Sequence, residues 1–388
     1  MRNLRGALDD LDAAELLRKR RVVSGRQGPV LDVDGRRLVA FASNDYLGLS
    51  SHPKLTEAVM DAVRRVGVGA GASHLISGHH EEHERLDAEL ARFVGLPKAL
   101  SFSTGYLANT GVIPALVGRG DAVFSDALNH ASLIDGVRLS RADLHVYPHA
   151  DTTALEAALT RSEAPNKLIA SDAVFSMDGD IAPVRELVSL CERHDAWLLL
   201  DDAHGFGVLG PHGAGTLAHL GIRSERVLYL GTLGKAAGVS GAFVAADDAV
   251  IDWLVQRART YVFTTAMPPM LAAAVRASLE VMRDESWRQE RLREHAALLR
   301  RRLHELPWTL LESITAIQPV IVGDNALVMR LMDQLWDRGF WVPAIRPPTV
   351  PEGSARLRIS LSAAHTTEQV AALADALEAV AQTELAMI

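Results

Sequence analysis

The 388-residue sequence has a single cysteine, Cys191. No disulfide can close within the chain, which fits a reducing compartment. Cys191 falls on a predicted amphipathic helix and reads as a small buried apolar residue. Long hydrophobic runs are also missing, since none approaches the roughly 18 residues of a membrane span. Positive charge is not in excess: 40 Lys and Arg stand against 48 Asp and Glu, a net charge of −8. A general nucleic-acid or membrane-surface role therefore lacks electrostatic support. The N-terminus is Arg-rich, yet it holds Asp9, Asp10, Asp12 and Glu15 and has no apolar signal core. Neither a transit peptide nor a secretory signal fits, and a cytoplasmic location is expected.

What is present is ordinary globular composition, 48% hydrophobic and 23% charged. The length exceeds what one core holds comfortably, so a large and a smaller domain are expected. Residues 1–50 read as an N-terminal segment. In it Leu4, Leu8, Leu11, Leu16 and Leu17 fall near helical spacing, and VLDVDGRRLVAF reads as a strand pair turning at Asp34-Gly35. Residues 51–275 alternate helix and strand, with strands predicted at KALSFST, DAVFSD, LHVYPH, NKLIASDAV, AWLLLDDAH, RVLYLGT and SGAFVAA. Strand cores such as LLL and VLYL are apolar on both faces, which suits a mostly parallel sheet covered by helices. Residues 276–388 read as a smaller α+β domain, reached by one long helix beginning near Pro268.

Several motifs fail on inspection. GVGAGASHLISG, from Gly67, looks like a dinucleotide fingerprint but follows a helix, and position 72 is Ala. A flexible loop that lets backbone approach a ligand is the better reading. GTLGKAAG lacks the spacing and the hydroxyl of a nucleotide phosphate loop. His80 and His83 are three residues apart, not four, so His79–His83 reads as a polar helix start and no metal is expected. No G-x-S-x-G elbow is present.

Three other pieces converge. Asp201, in LLLDDAHGFGVLG, ends an apolar strand where α/β proteins place ligands, and an acid there can hold a protonated pyridine nitrogen. Lys235, in GTLGKAAGVSG, stands between two apolar strands, where a lowered pKa makes a good amine nucleophile and base. SFSTGYLANTG runs from strand through Thr104-Gly105-Tyr106 into a helix, whose first amides suit a phosphate. Each piece alone also reads as a loop cap, a solvent-facing turn or an ordinary N-cap.

Together, and in this order, they resemble the fold-type-I pyridoxal phosphate enzymes and, within them, the α-oxoamine synthase family. The resemblance runs from about Leu17 to the final helix. It includes SNDYLGLSSHP at 43–53, GAGASHLISG at 69–78, LNHASLIDG at 128–136, VFSMDGDIAP at 174–183, YVFTTAMPP at 261–269 and IRPPTVPEGSARLRISL at 345–361. It implies a large domain with a mostly parallel seven-stranded sheet, a smaller C-terminal α+β domain and an N-terminal helical segment. It implies pyridoxal 5′-phosphate on Lys235 as a Schiff base, with Asp201 at the ring nitrogen. His204 and Ser176 match residues at the phenolic oxygen, and His130 the histidine on the ring face. Gly105 and Tyr106 match the phosphate-side backbone pair, with Thr232 as a hydroxyl donor. Thr264 and Thr265 match hydroxyls that reach the phosphate in the partner subunit, which implies a homodimer. Arg358 matches the arginine that grips the amino-acid carboxylate. Arg18, Asn44, His74 and Thr349 match substrate-side positions. GAGASHLISG, AIQPVIVGDN and AIRPPTVP resemble the biotin-pathway branch, which implies L-alanine and a pimeloyl thioester of coenzyme A or carrier protein as substrates. Two alternatives stay open: a member using another amino acid and acyl chain, or a colourless nucleotide-binding oxidoreductase or binding protein.

Overall fold

The computed structural model describes residues 3–13, 16–18 and 20–386. Its centre is a seven-stranded sheet whose strands are numbered here in chain order: β1 Lys98–Phe102, β2 Ala122–Asp126, β3 Asp143–Tyr147, β4 Lys167–Asp172, β5 Trp197–Asp201, β6 Val227–Thr232 and β7 Ala242–Ala246. The spatial order is β1-β7-β6-β5-β4-β2-β3. β7 runs antiparallel to both neighbours, and every other pairing is parallel. All seven strands lie where the hydrophobic patterning places them. β5, β6 and β7 are buried almost throughout, which is why their sequences are apolar on both faces.

The reversal of β7 positions the lysine. A parallel neighbour would need a long crossover, but an antiparallel one returns by a short turn at the same sheet edge. Residues 233–241 make that turn, closed by Leu233 N–H to the Gly241 carbonyl at 2.9 Å and Gly238 N–H to the Lys235 carbonyl at 2.8 Å. Lys235 therefore stays beside the carboxyl ends of β5 and β6. Gly238 has φ of +70°, and a Cβ there would sit 2.5 Å from the Ser50 nitrogen. The lysine turn and the 43–53 segment thus pack backbone against backbone.

A second sheet joins Val30–Val33, Arg36–Ala40 and the late strand Phe340–Trp341. The Asp34-Gly35 turn is as expected, with both residues at positive φ. A third sheet centres on Ile317–Gly323 and Ala355–Ser360. The largest apolar cluster is continuous from Phe41 through Leu200 and Leu279 to Val380.

Three expectations change. The N-terminal helix spans Leu4–Ala13, so Leu16 and Leu17 lie beyond it, and Leu4, Leu8 and Leu11 are exposed. Helical spacing alone did not supply a surface to bury them against. The long helix is two, Pro269–Asp284 and Trp287–Leu303. At the break Arg288 holds the Glu285 carboxylate at 2.7 Å and the Leu47 carbonyl at 2.8 Å, which turns the chain. The glycine-rich segment is not a plain loop. Residues His74–Gly78 form a π-helical turn closed by Gly78 N–H to the Ser73 carbonyl at 3.0 Å, and a Cβ on Gly78 would lie 2.0 Å from the Ala72 carbonyl oxygen.

One charged clamp steadies the loops at the strand ends. His149 lies 3.0 Å from Asp126 at the end of β2 and 2.9 Å from Asp180 in the loop after β4. Its hydrogen bonds to the two carboxylates raise its pKa to about 10. Raised above the unfolded value, it contributes stability that is full below about pH 6.5 and gone above about 10. Unfolding of wild type and His149→Gln should therefore differ by about 1–3 kcal/mol below neutrality, with the gap closing as pH approaches 10. Gly238→Ala should lose about 1–3 kcal/mol in denaturant melts through the Ser50 clash and positive φ. Gly28→Ala, with nothing within 4 Å, is the matched control and should stay within about 0.5 kcal/mol.

Candidate active site

Parallel strands present their carboxyl ends to one crevice, and the turn before β7 adds Lys235 to it. Lys235 Nζ lies 2.8 Å from His204 Nε2. Burial pushes its amine down to about 8, with Arg358 pushing the same way and Asp201 and Asp172 pulling against them. At neutral pH about a tenth of this amine is uncharged and nucleophilic, far more than of a surface lysine.

Asp201 is buried at the end of β5. Asn109 Nδ2 donates to its Oδ2 at 2.6 Å and the Ala203 amide to its Oδ1 at 3.1 Å. Asn109 comes from the helix Gly105–Leu116 and also donates to Ser132 Oγ at 2.9 Å. Asp172 ends β4 as the register partner of Asp201. Burial and the Asp201 charge push its carboxyl well above the usual range, and the His130 amide, 2.7 Å from its Oδ2, opposes them. His130 caps the helix Ala131–Ser140, with Nδ1 2.7 Å from Ser132 Oγ. Burial lowers its pKa, Asp201 pulls it up and Lys235 pushes it down, so the ring shares the field of both groups.

At the start of the helix Gly105–Leu116, Thr104 caps it by accepting the Leu107 amide on its hydroxyl at 3.1 Å. The helix offers no intrahelical acceptor to the amides of Gly105 and Tyr106. Thr232, ending β6, lies close: a Cβ on Gly105 would be 3.9 Å from Thr232 Oγ1. The Tyr106 hydroxyl turns aside to Asp135.

The C-terminal sheet contributes Arg358, which is buried. Its Nε donates to the Ser176 carbonyl at 2.6 Å and its Nη1 to Ser360 Oγ at 2.7 Å and Asn44 Oδ1 at 3.3 Å. Arg356, two residues earlier, grips Asp178 at 2.5 Å and the Met177 carbonyl at 3.1 Å. The 174–183 loop is thereby tied to a strand nearly two hundred residues later.

Lys235, His204, Asp201, His130, Ser176, Arg358, Asn44, Thr232 and Gly105 thus gather around one crevice. Others lie elsewhere in the chain. Thr265 bridges to Ser73, and Thr264 precedes it. His74 stacks on Tyr261 at 4.6 Å and meets His79 at 2.9 Å. Arg18 is exposed, as is Thr349, whose amide donates to the Arg346 carbonyl at 3.1 Å. The fold also brings His74 and His79 near His83, a grouping that spacing within 79–83 could not reveal. His83, however, accepts the His80 amide on Nδ1 at 3.0 Å and faces the Met267 carbonyl through Nε2 at 2.7 Å, which occupies both ring nitrogens. His80 itself caps the helix Glu81–Val94, the polar start expected.

Sequence reasoning missed Tyr46, Asn109 and Asp172. Tyr46 and Asn109 lie inside segments already singled out. Asp172 carries the same signal as Asp201, an acid at the end of an apolar strand. Cys191 is buried and its thiol is pushed up to about 12 by desolvation, as its reading requires. An amine-modifying reagent applied to cofactor-free protein should label Lys235 with a midpoint near pH 8, below the exposed lysines; a midpoint above 10 would contradict the placement of this amine.

The aminotransferase class I and II family model matches residues 36–377. The chain is 58% identical over 381 residues to 8-amino-7-oxononanoate synthase 1 of a Polaromonas species, covering 96% of this chain and 94% of that protein. It is equally 58% identical over 374 residues to the 8-amino-7-oxononanoate synthase of Aromatoleum aromaticum, covering 96% and 97%. Among solved structures, serine palmitoyltransferase of S. paucimobilis with bound PLP–myriocin aldimine superposes with a TM-score of 0.92 at 29% identity, covering 98% of this chain and 97% of that one. An 8-amino-7-oxononanoate synthase of Francisella tularensis gives 0.78 at 29% identity, covering 90% and 99%. With the crevice, its lysine and its strand-end acids in place, the chain belongs to the aminotransferase class I and II family and, within it, to the 8-amino-7-oxononanoate synthases.

Proposed function

We propose that this chain joins L-alanine to a pimeloyl thioester, releasing the thiol and carbon dioxide and forming 8-amino-7-oxononanoate. The observation that carries the reading is the Lys235 amine, 2.8 Å from His204 and balanced by two strand-end acids. The donor set fits pyridoxal phosphate: a nucleophilic amine, a buried carboxylate pinned by Asn109, and amides at a helix start beside a threonine hydroxyl. Lys235 would hold the cofactor covalently and Asp201 its ring nitrogen. His130 would lie on the ring face and His204 and Ser176 at the phenolic oxygen. Gly105, Tyr106 and Thr232 would hold the phosphate. Bound there, the cofactor supplies an electron sink for the pair left when alanine loses its Cα proton.

The chain's own groups do the rest. Arg358 offers a bidentate fork to the alanine carboxylate, which sets the bond at Cα that is aligned for cleavage. Lys235 Nζ, once free, takes the Cα proton, and a pKa near neutrality suits both uptake and return. The new C–C bond joins Cα to the acyl carbonyl as the C–S bond breaks, and the former alanine carboxylate then leaves as carbon dioxide. Asn44, Arg18, His74 and Thr349 are assigned to the substrate side.

A homodimer is part of the same proposal. The Ser73–Thr265 bridge lies beside Ile76, 80% exposed, and Phe263, 71% exposed, an apolar surface that a second copy would cover. Thr264 and Thr265 would then serve the partner's phosphate site. Residues 1–50, 51–275 and 276–388 would form the N-terminal segment, the large domain and the small domain of a cytoplasmic enzyme. No helix of the described residues is long and apolar enough to cross a membrane.

Lys235→Ala should lose the visible absorbance of the lysine-bound cofactor and at least about 10³-fold in rate, as removal of a covalent anchor and base demands. Wild type offered alanine, glycine and serine with short and long acyl thioesters should prefer alanine and the pimeloyl chain. Preference for glycine would move the activity to another member of the family.

A further inference from the structure

The Lys235–His204 contact continues inward to Tyr46, a residue given no role so far, and through it to Asn44 and Arg358. His204 Nδ1 lies 2.7 Å from Tyr46 Oη, and Tyr46 Oη lies 3.1 Å from Asn44 Oδ1. Arg358 closes a ring, with Nη1 3.3 Å from Asn44 Oδ1 and Nη2 3.4 Å from Tyr46 Oη. Tyr46 is fully buried, and the Ala363 amide holds its backbone carbonyl at 2.7 Å.

A count of hydrogens decides the direction of each bond. A guanidinium only donates, so Asn44 presents its amide oxygen to Arg358. That oxygen only accepts, and the 3.1 Å contact to Tyr46 therefore holds the one hydroxyl proton. Toward His204 the tyrosine oxygen is then an acceptor, so Nδ1 carries the imidazole hydrogen. Burial, with Lys235 and Arg358 nearby, keeps this histidine neutral. One hydrogen on a neutral ring leaves Nε2 bare, and Nε2 is the atom facing Lys235 Nζ at 2.8 Å. The reverse arrangement would set the Tyr46 and Asn44 oxygens 3.1 Å apart as two acceptors, with only the Arg358 N–H groups to satisfy them.

We propose that Tyr46 is a positioning residue that fixes the His204 hydrogen on Nδ1 and so presents a bare acceptor to Lys235. The N–H groups of Arg358 that hold Asn44 and Tyr46 are the ones a substrate carboxylate would claim. The ring therefore links carboxylate engagement at one end to the lysine amine at the other. This catalytic meaning rests on the function proposed above, whereas the tautomer itself does not. The charged and titratable groups facing the pair are Asp201 and Asp172 from the strand ends, Arg358 from the C-terminal sheet and His130 from its helix cap.

The test uses the full chain labelled with ¹⁵N-histidine, with and without pyridoxal phosphate. Two-bond ¹H–¹⁵N spectra read which ring nitrogen is protonated, and His204→Gln assigns the signal. Cofactor-free wild type is expected to show hydrogen on Nδ1 and a bare Nε2. Tyr46→Phe, which leaves Nδ1 without an acceptor, should populate both tautomers, and Asn44→Ala, which frees the tyrosine proton to turn toward Nδ1, should move the hydrogen to Nε2. A donor then faces the lysine and favours its free amine, so acetic anhydride should label Lys235 about threefold faster at neutral pH, half a pKa unit. Hydrogen on Nε2 in wild type overturns the proposal, as does Nδ1–H retained in both variants. The wild-type spectrum decides even where a variant fails to fold. Absence of ketone synthesis with Nδ1–H intact would count against the proposed reaction alone.

Discussion

Asp172 and Asp201 end register-paired strands and both face the Lys235 amine. Two buried acids side by side are tolerated only where hydrogen bonds and a nearby cation balance them. Asn109, the His130 amide and the Ala203 amide supply the bonds, and Lys235 supplies the cation. Much of the architecture follows from keeping that group assembled. β7 must reverse so that the lysine turn remains at the carboxyl edge. The helix Gly105–Leu116 must start beside β6 so that Asn109, one turn in, can reach β5.

The balance also sets the reactivity of the lysine. Burial disfavours its ammonium form while the two acids favour it, and the opposed effects leave it near neutrality. A lysine at a solvent-facing turn would stay charged and inert. Arg358 tightens the same balance from the other side, because its guanidinium is buried close by and pushes the amine down.

The other constraint is long-range. Asn44 and Tyr46 meet Arg358 more than three hundred positions later, and Arg358 and Arg356 hold the 176–178 backbone. Gly238 meets the backbone at Leu49 and Ser50. The N-terminal segment, the loop after β4, the lysine turn and the C-terminal sheet thus form one crevice wall, and a shift in any of them moves the Lys235 amine and the Arg358 guanidinium together. The 58% identity to curated synthases spans all of these segments, which is what a site built from dispersed pieces requires.

The strands were legible in the sequence because buried parallel strands must be apolar on both faces, and short apolar runs bounded by turn residues have few other uses. Asp201, Lys235 and Gly105 were legible because each marks the end of such a strand, where local pattern and site coincide. Tyr46, Asn109 and Asp172 were not singled out, since a tyrosine, an asparagine and a second strand-end acid carry no signal until their partners are in place. The same holds for the break at Glu285, made by Arg288 reaching back to Leu47, and for the exposed apolar face of Leu4–Ala13. Sequence alone marked the candidate residues for the chemistry, because side-chain type and strand-end position are local properties. Tertiary structure alone decided how their protons and charges are shared, because hydrogen bonds and burial depend on neighbours that only folding brings together.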